Sequence, residues 1–119
     1  MDKKVLVNYI KPVLKKLQED GLQLTRVEIW PAEWNGHYTV AVSANWEGLS
    51  HWDRLMRVVH KLREMLPVEV NKHILNVYTY DTPESIDEYI NLYVTGADLY
   101  QVQSLYPPVG AAASPPSVF

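Results

Sequence analysis

The chain has 119 residues, enough for one domain of ordinary size and too few for two. Without a cysteine it holds no disulfide, no thiolate-bound metal of its own and no cysteine nucleophile. Eleven Lys and Arg against fourteen Asp and Glu give a net charge of -3, a poor start for a protein that must neutralise many phosphates.

The first residues, MDKKVLVNYI, contain no apolar run of signal-peptide length, and no stretch approaches the ~20 apolar residues of a membrane helix. A soluble, cytoplasmic protein is the expectation. Over residues 2–20, Val5, Ile10, Val13, Leu14 and Leu17 recur at spacings near three and four between lysines, which predicts an amphipathic helix stopped by Gly21. Pro12 costs about 3 kcal/mol inside a helix, so an irregular first turn or two is expected. The period then changes to two, predicting strands over about 23–31 and 37–44. Asn35-Gly36 between them tolerates positive φ and reads as a hairpin turn, while Pro31 ends the first strand or puts it on an edge.

Ser50 and Asp53 resemble a capping box ahead of Trp52, Leu55, Met56, Val59, Leu62 and Leu66, a second helix closed by Pro67. Residues 69–80 are rich in β-formers and alternate from His73, predicting a third strand. Thr82-Pro83-Glu84 opens a further helix whose apolar face is Ile86, Tyr89, Ile90 and Tyr93. Beyond Gly96 the pattern weakens. The segment 107–119, PPVGAAASPPSVF, has four prolines and no charge. A single domain over 1–96 is therefore expected, with an extension over 97–119 that is disordered or docked on a partner from 107. The order α-β-β-α-β-α predicts a two-layer α+β sandwich, a three-stranded sheet with its helices on one face.

Five scattered glycines build no phosphate loop, and there is no nucleophile elbow or zinc-protease motif. Carboxylate pairs such as Glu28 with Glu33 or Asp87 with Glu88 are explained by solvation, so no catalytic acid or base is assigned and a non-enzymatic protein is expected. Four histidines are present, His37, His51, His60 and His73. If the strands that His37 and His73 open are neighbours, the two imidazoles approach one rim of the sheet, where a metal offered by a partner is shared. Eight Tyr and four Trp against one Phe favour a half-exposed sheet or docking face, with Trp34, Tyr78 and Tyr80 as candidate partner surface and Tyr78 and Tyr80 on the strand face of Ile74. Arg54, Arg57 and Lys61 on the second helix, beside the lysines of the first, form a basic face that also serves as candidate partner surface. A KH-like nucleic-acid contact there is disfavoured by the net charge and by Glu47-Gly48-Leu49-Ser50, which lacks the second glycine of a G-x-x-G loop.

Three segments together resemble the BolA family, small α+β proteins with a KH-like arrangement. They are the run from His37 through Val40, Ser43 and Trp46 to Gly48 before a helix, the helix with Arg54, and His73-Ile74-Leu75-Asn76-Val77-Tyr78-Thr79-Tyr80. The likeness covers about residues 5–90. It departs where the family's helix carries Arg-His-Arg and this chain has Arg54-Leu55-Met56, and no cysteine occupies the hairpin loop. The resemblance implies a non-enzymatic adaptor that pairs with a monothiol glutaredoxin and helps hold a bridging [2Fe–2S] cluster, with His73 at a ligand position and the region Trp34 to His37 near the second. His73 and His37 are thus the candidate metal ligands. The alternative is an accessory subunit that docks into a larger assembly through its aromatic face and Pro-rich tail, with no metal.

Overall fold

The computed structural model describes residues 1–33 and 36–107. Nine elements follow one another: α1 (Lys3–Glu19), β1 (Gln23–Pro31), β2 (Tyr38–Asn45), α2 (His51–Met65), a single turn α3 (Val68–Asn71), β3 (Ile74–Tyr80), α4 (Pro83–Tyr93), a 3-10 helix (Gly96–Gln101) and β4 (Gln103–Tyr106). The architecture is α+β, with one mixed sheet in the order β3-β2-β1-β4. No helix among the described residues is long and apolar enough to cross a membrane.

Pro12 does not disturb α1, which runs unbroken from its Asp2 cap, where the carboxylate accepts from the Lys4 N–H at 2.8 Å. Six α1 side chains, Leu6, Val7, Ile10, Val13, Leu14 and Leu17, are buried. Each buried aliphatic contributes about 1.5–3 kcal/mol, so together they outweigh the ~3 kcal/mol of an interior proline. Pro12 and Asn8, whose carbonyl loses its donor, both lie on the exposed side, where water replaces the bond. The capping of α2 follows the sequence expectation: Ser50 Oγ accepts from the Asp53 N–H at 3.2 Å. Ser50→Ala is expected to lower the unfolding free energy by about 1 kcal/mol in a urea titration.

β1 and β2 pair antiparallel, β2 and β3 pair parallel, and β4 adds antiparallel to the free side of β1. The parallel pair requires a crossover, which α2 and α3 supply. Val27 and Ile29 of β1 and Val40 and Val42 of β2 face α1 and α2 in the main core. The intervening residues face the other way, and there Trp30 and Ala41 pack against Ile86, Ile90 and Val94.

Two corrections to the expected architecture follow. The sheet has four strands, because Gln103–Tyr106, in the segment expected to be an extension, bonds to β1. The helices are divided between the faces: α4 covers the face opposite α1 and α2, so the middle strands are buried on both sides and Thr39, Ser43 and Glu28 are 2%, 0% and 3% exposed. These buried polar groups are satisfied locally. Ser43 Oγ meets Thr25 Oγ1 at 2.7 Å, Thr39 Oγ1 accepts from Asn76 at 3.1 Å, and Glu28 accepts from Arg26 Nε at 3.2 Å. Arg26 also donates to Asp87 at 2.7 Å and to the Pro83 carbonyl at 3.2 Å, fastening α4 to the sheet.

A third correction concerns β3. The register shifts between Tyr38 and Thr39 as they pair with Ile74 and Asn76, so Leu75 is bulged out of the ladder. Ile74 therefore packs on the main core while Tyr78 and Tyr80 pack on the α4 side, and the three do not share one face.

Candidate functional site

Parallel pairing puts the starting ends of β2 and β3 side by side. The residues just before them, His37 and His73, are thereby brought together, and the Tyr38 N–H donates to the His73 carbonyl at 2.8 Å. The two imidazole centroids are 5.1 Å apart with an interplanar angle of 47°. Both residues are half-buried. His37 borders a surface cleft of about 310 Å³ together with Glu33, Tyr38 and Asp98.

Gly36 shapes this end of the sheet. Its φ of 78° is the left-handed region that glycine enters without strain, and the Ala32 N–H closes the loop on the His37 carbonyl at 2.9 Å. The ladder between the two strands ends where Pro31 pairs with Tyr38. His73 Nδ1 lies 3.0 Å from the Gly36 carbonyl. A carbonyl only accepts, so Nδ1 carries the proton and, in the neutral ring, Nε2 carries the lone pair. A backbone carbonyl holding one ring nitrogen while the other stays basic is the usual support of a metal-binding histidine.

The pair also satisfies a distance test. With an ion about 2 Å from each nitrogen, a ring centroid lies about 3 Å from it, and two rings at a tetrahedral angle stand about 5 Å apart. The observed 5.1 Å is of that size, which is also that of two packed rings. Among the described residues no group of three or more His, Asp or Glu is placed to hold an ion. His51 and His60 are exposed on α2.

The basic candidates on α2 are engaged within the chain. Arg54 donates to the Leu49 carbonyl at 2.9 Å and to Asp81 at 2.6 Å, and its guanidinium lies 5.9 Å from the centre of the Trp46 ring. Arg57 donates to the Asp20 carbonyl at 3.3 Å, and Lys61 pairs with Asp20 at 3.0 Å and Glu64 at 3.3 Å. Trp34 lies outside the described residues, as do positions 108–119 of the tail.

Tyr78 and Tyr80 belong to an aromatic cluster on the α4 side whose hub is Tyr89. Its ring centre lies 5.9 Å from Trp30, 5.3 Å from Tyr78, 6.3 Å from Tyr80 and 4.7 Å from Tyr93. The spacing of Tyr89 and Tyr93 on one helix face was legible, but their meeting with Trp30 and the β3 tyrosines depends on α4 crossing to the far side of the sheet. Burial, then the neighbouring phenols, pushes Tyr80 up to about 12; burial, then a hydrogen bond with Tyr78, pushes Tyr89 up to about 12.

A phenol whose folded pKa is raised stabilises the fold fully below its unfolded value of about 10 and loses that contribution as pH rises through the folded one. Ultraviolet titration is expected to show three of the eight tyrosines ionising late, Tyr80 and Tyr89 together with Tyr38, which burial also raises, with stability declining from about pH 10 to 12. In Tyr89→Phe the late fraction should shrink.

Comparison with protein-family models, curated proteins and solved structures finds no match to this chain.

Proposed function

We propose that the protein is a non-catalytic adaptor, BolA-like in role, that presents His37 and His73 as a two-imidazole half-site for a [2Fe–2S] cluster whose other iron is held by the active-site thiolate of a monothiol glutaredoxin and a second thiolate supplied with it, such as a small-molecule thiol. The observation that carries this reading is the histidine pair itself: two rings 5.1 Å apart, one of them tied through Nδ1 to a backbone carbonyl. Neutral imidazoles replace two thiolates on one iron in known clusters, and such a centre supplies electron-transfer or cluster-transfer chemistry when bound. The chain's own part is to hold both rings at the start of the parallel strands, tie Nδ1 of His73 to the Gly36 carbonyl, and offer no competing thiol.

Anaerobic reconstitution of the full chain with a monothiol glutaredoxin, iron and sulfide tests this. A coloured heteromeric complex, absent when either protein is omitted, is the expected result. A complex that forms only between glutaredoxin molecules contradicts it.

A second reading rests on a different observation. Leu92, Tyr93, Leu99 and Tyr100 are 70%, 67%, 45% and 90% exposed where α4 gives way to the 3-10 helix. Exposed apolar side chains so close in sequence favour an accessory subunit docked through this end of the molecule. Stable co-purification with one partner, lost in Leu92→Glu and Tyr100→Glu but retained in His73→Ala, would separate it from the adaptor reading.

A further inference from the structure

The sheet ends on one side at β3, whose outer edge pairs with no strand among the described residues. Its sequence, ILNVYTY, has no charge, proline or glycine, and all seven residues are partly exposed. Natural edge strands are usually blunted by a lysine, a proline or a bulge, because their outward N–H and C=O groups accept a further strand. Here the bulge at Leu75 touches only the first residues, and residues 76–80 keep their register with β2. Beside this edge runs one stripe of α2, where Trp52, Leu55, Val59 and Arg63 follow at spacings of three and four. Leu55, Val59 and Arg63 line a cleft of about 330 Å³ together with residues 74–78.

We infer that a second copy of this chain covers this edge, with β3 pairing antiparallel to its counterpart about a twofold axis near Val77. Self-complementarity selects that occupant. An antiparallel pair of β3 strands places Val77 opposite itself and brings no like charges together. The same axis sets the two α2 helices antiparallel. Residues 55–63 of the helix span about 12 Å and residues 74–78 of the strand about 13 Å, so the middle of the stripe stands close to the axis. Leu55 of one copy then faces Val59 of the other, and Arg63 faces the turn that carries Trp52 and Asp53. Arg63 and Asp53 are exposed, and among the described residues neither forms an ion pair. Trp52 is 66% exposed. Across the axis each guanidinium meets a carboxylate and an indole, twice per dimer. The inference does not rest on the adaptor reading.

Sedimentation equilibrium of the full chain tests it. A monomer–dimer equilibrium in the micromolar range is expected. Val59→Glu brings a carboxylate from each copy beside the axis and should abolish the dimer, while circular dichroism stays that of the parent because Val59 is partly exposed. Arg63→Glu and Asp53→Lys should each weaken the dimer about tenfold or more. Combined, they should restore it to within a few-fold, since the charges of the pair are only exchanged. Leu92→Glu, on the helix that covers the far face of the sheet, should leave the dimer intact. A chain that stays monomeric at millimolar concentration overturns the inference and leaves the edge to a strand from another protein. A dimer that survives Val59→Glu, or one that the exchanged pair fails to restore, overturns it as well.

Discussion

Replacing His73 by Ala is expected to lower the iron retained by the reconstituted complex roughly tenfold or more, because loss of even a supporting group at a metal site costs about 10–100-fold and His73 is a direct ligand in this account. Iron and sulfide analysis after gel filtration, with the visible spectrum, reads the effect. His37→Ala should do the same, and the double variant should add little to either single one, since a half-site of two ligands fails as a unit. His73 is half-buried at a strand end, so circular dichroism of the variant should remain that of the parent. Full iron retention in both single variants would remove the half-site from the account.

Trp46→Ala is expected to be the most damaging of the substitutions considered for stability. The indole is 3% exposed, packs in the main core, donates to the Tyr80 carbonyl at 2.8 Å and lies under Arg54. It thus joins the end of β2 to the end of β3 and roofs the start of α2. Truncating a buried tryptophan costs about 3–5 kcal/mol, which for a domain of this size lowers Tm by roughly 10–20 °C. Trp46→Phe should lose less, because packing is largely kept and the main deficit is the unmet Tyr80 carbonyl, about 1–3 kcal/mol. Equal losses in the two variants would show that the hydrogen bond dominates.

The parts of the fold that could be read from sequence are those with local causes. Ser50 and Pro67 bracket α2, Thr82 and Pro83 start α4, and alternation from Leu24 to Trp30 and from Tyr38 to Ser43 marks the two central strands. What escaped depends on tertiary placement. β4 is four residues long, too short for a period of two to register, and Pro107 follows it at once. The second buried face was hidden because Glu28, Thr39 and Ser43 are polar, and only their hydrogen bonds make burial tolerable. The bulge at Leu75 breaks the face assignment of Ile74 without any glycine to announce it.

The candidate site divides in the same way. The histidines stood out as the residues opening two strands, but their meeting required β3 to lie parallel beside β2, a non-local outcome. The role of Gly36 as the acceptor for His73 could not be read from the turn motif that its neighbour Asn35 suggests. For the aromatic cluster, Trp30, Tyr78, Tyr89 and Tyr93 were each visible as core or rim residues. Their convergence comes from α4 crossing to the far face.

Pulsed electron paramagnetic resonance of the one-electron-reduced complex with a monothiol glutaredoxin bears most directly on the paired imidazoles. Strong couplings from two inequivalent ring nitrogens are expected, with one lost in His37→Ala and the other in His73→Ala. A spectrum with no imidazole coupling, or with couplings that survive both substitutions, would contradict the assignment of these two rings to the iron.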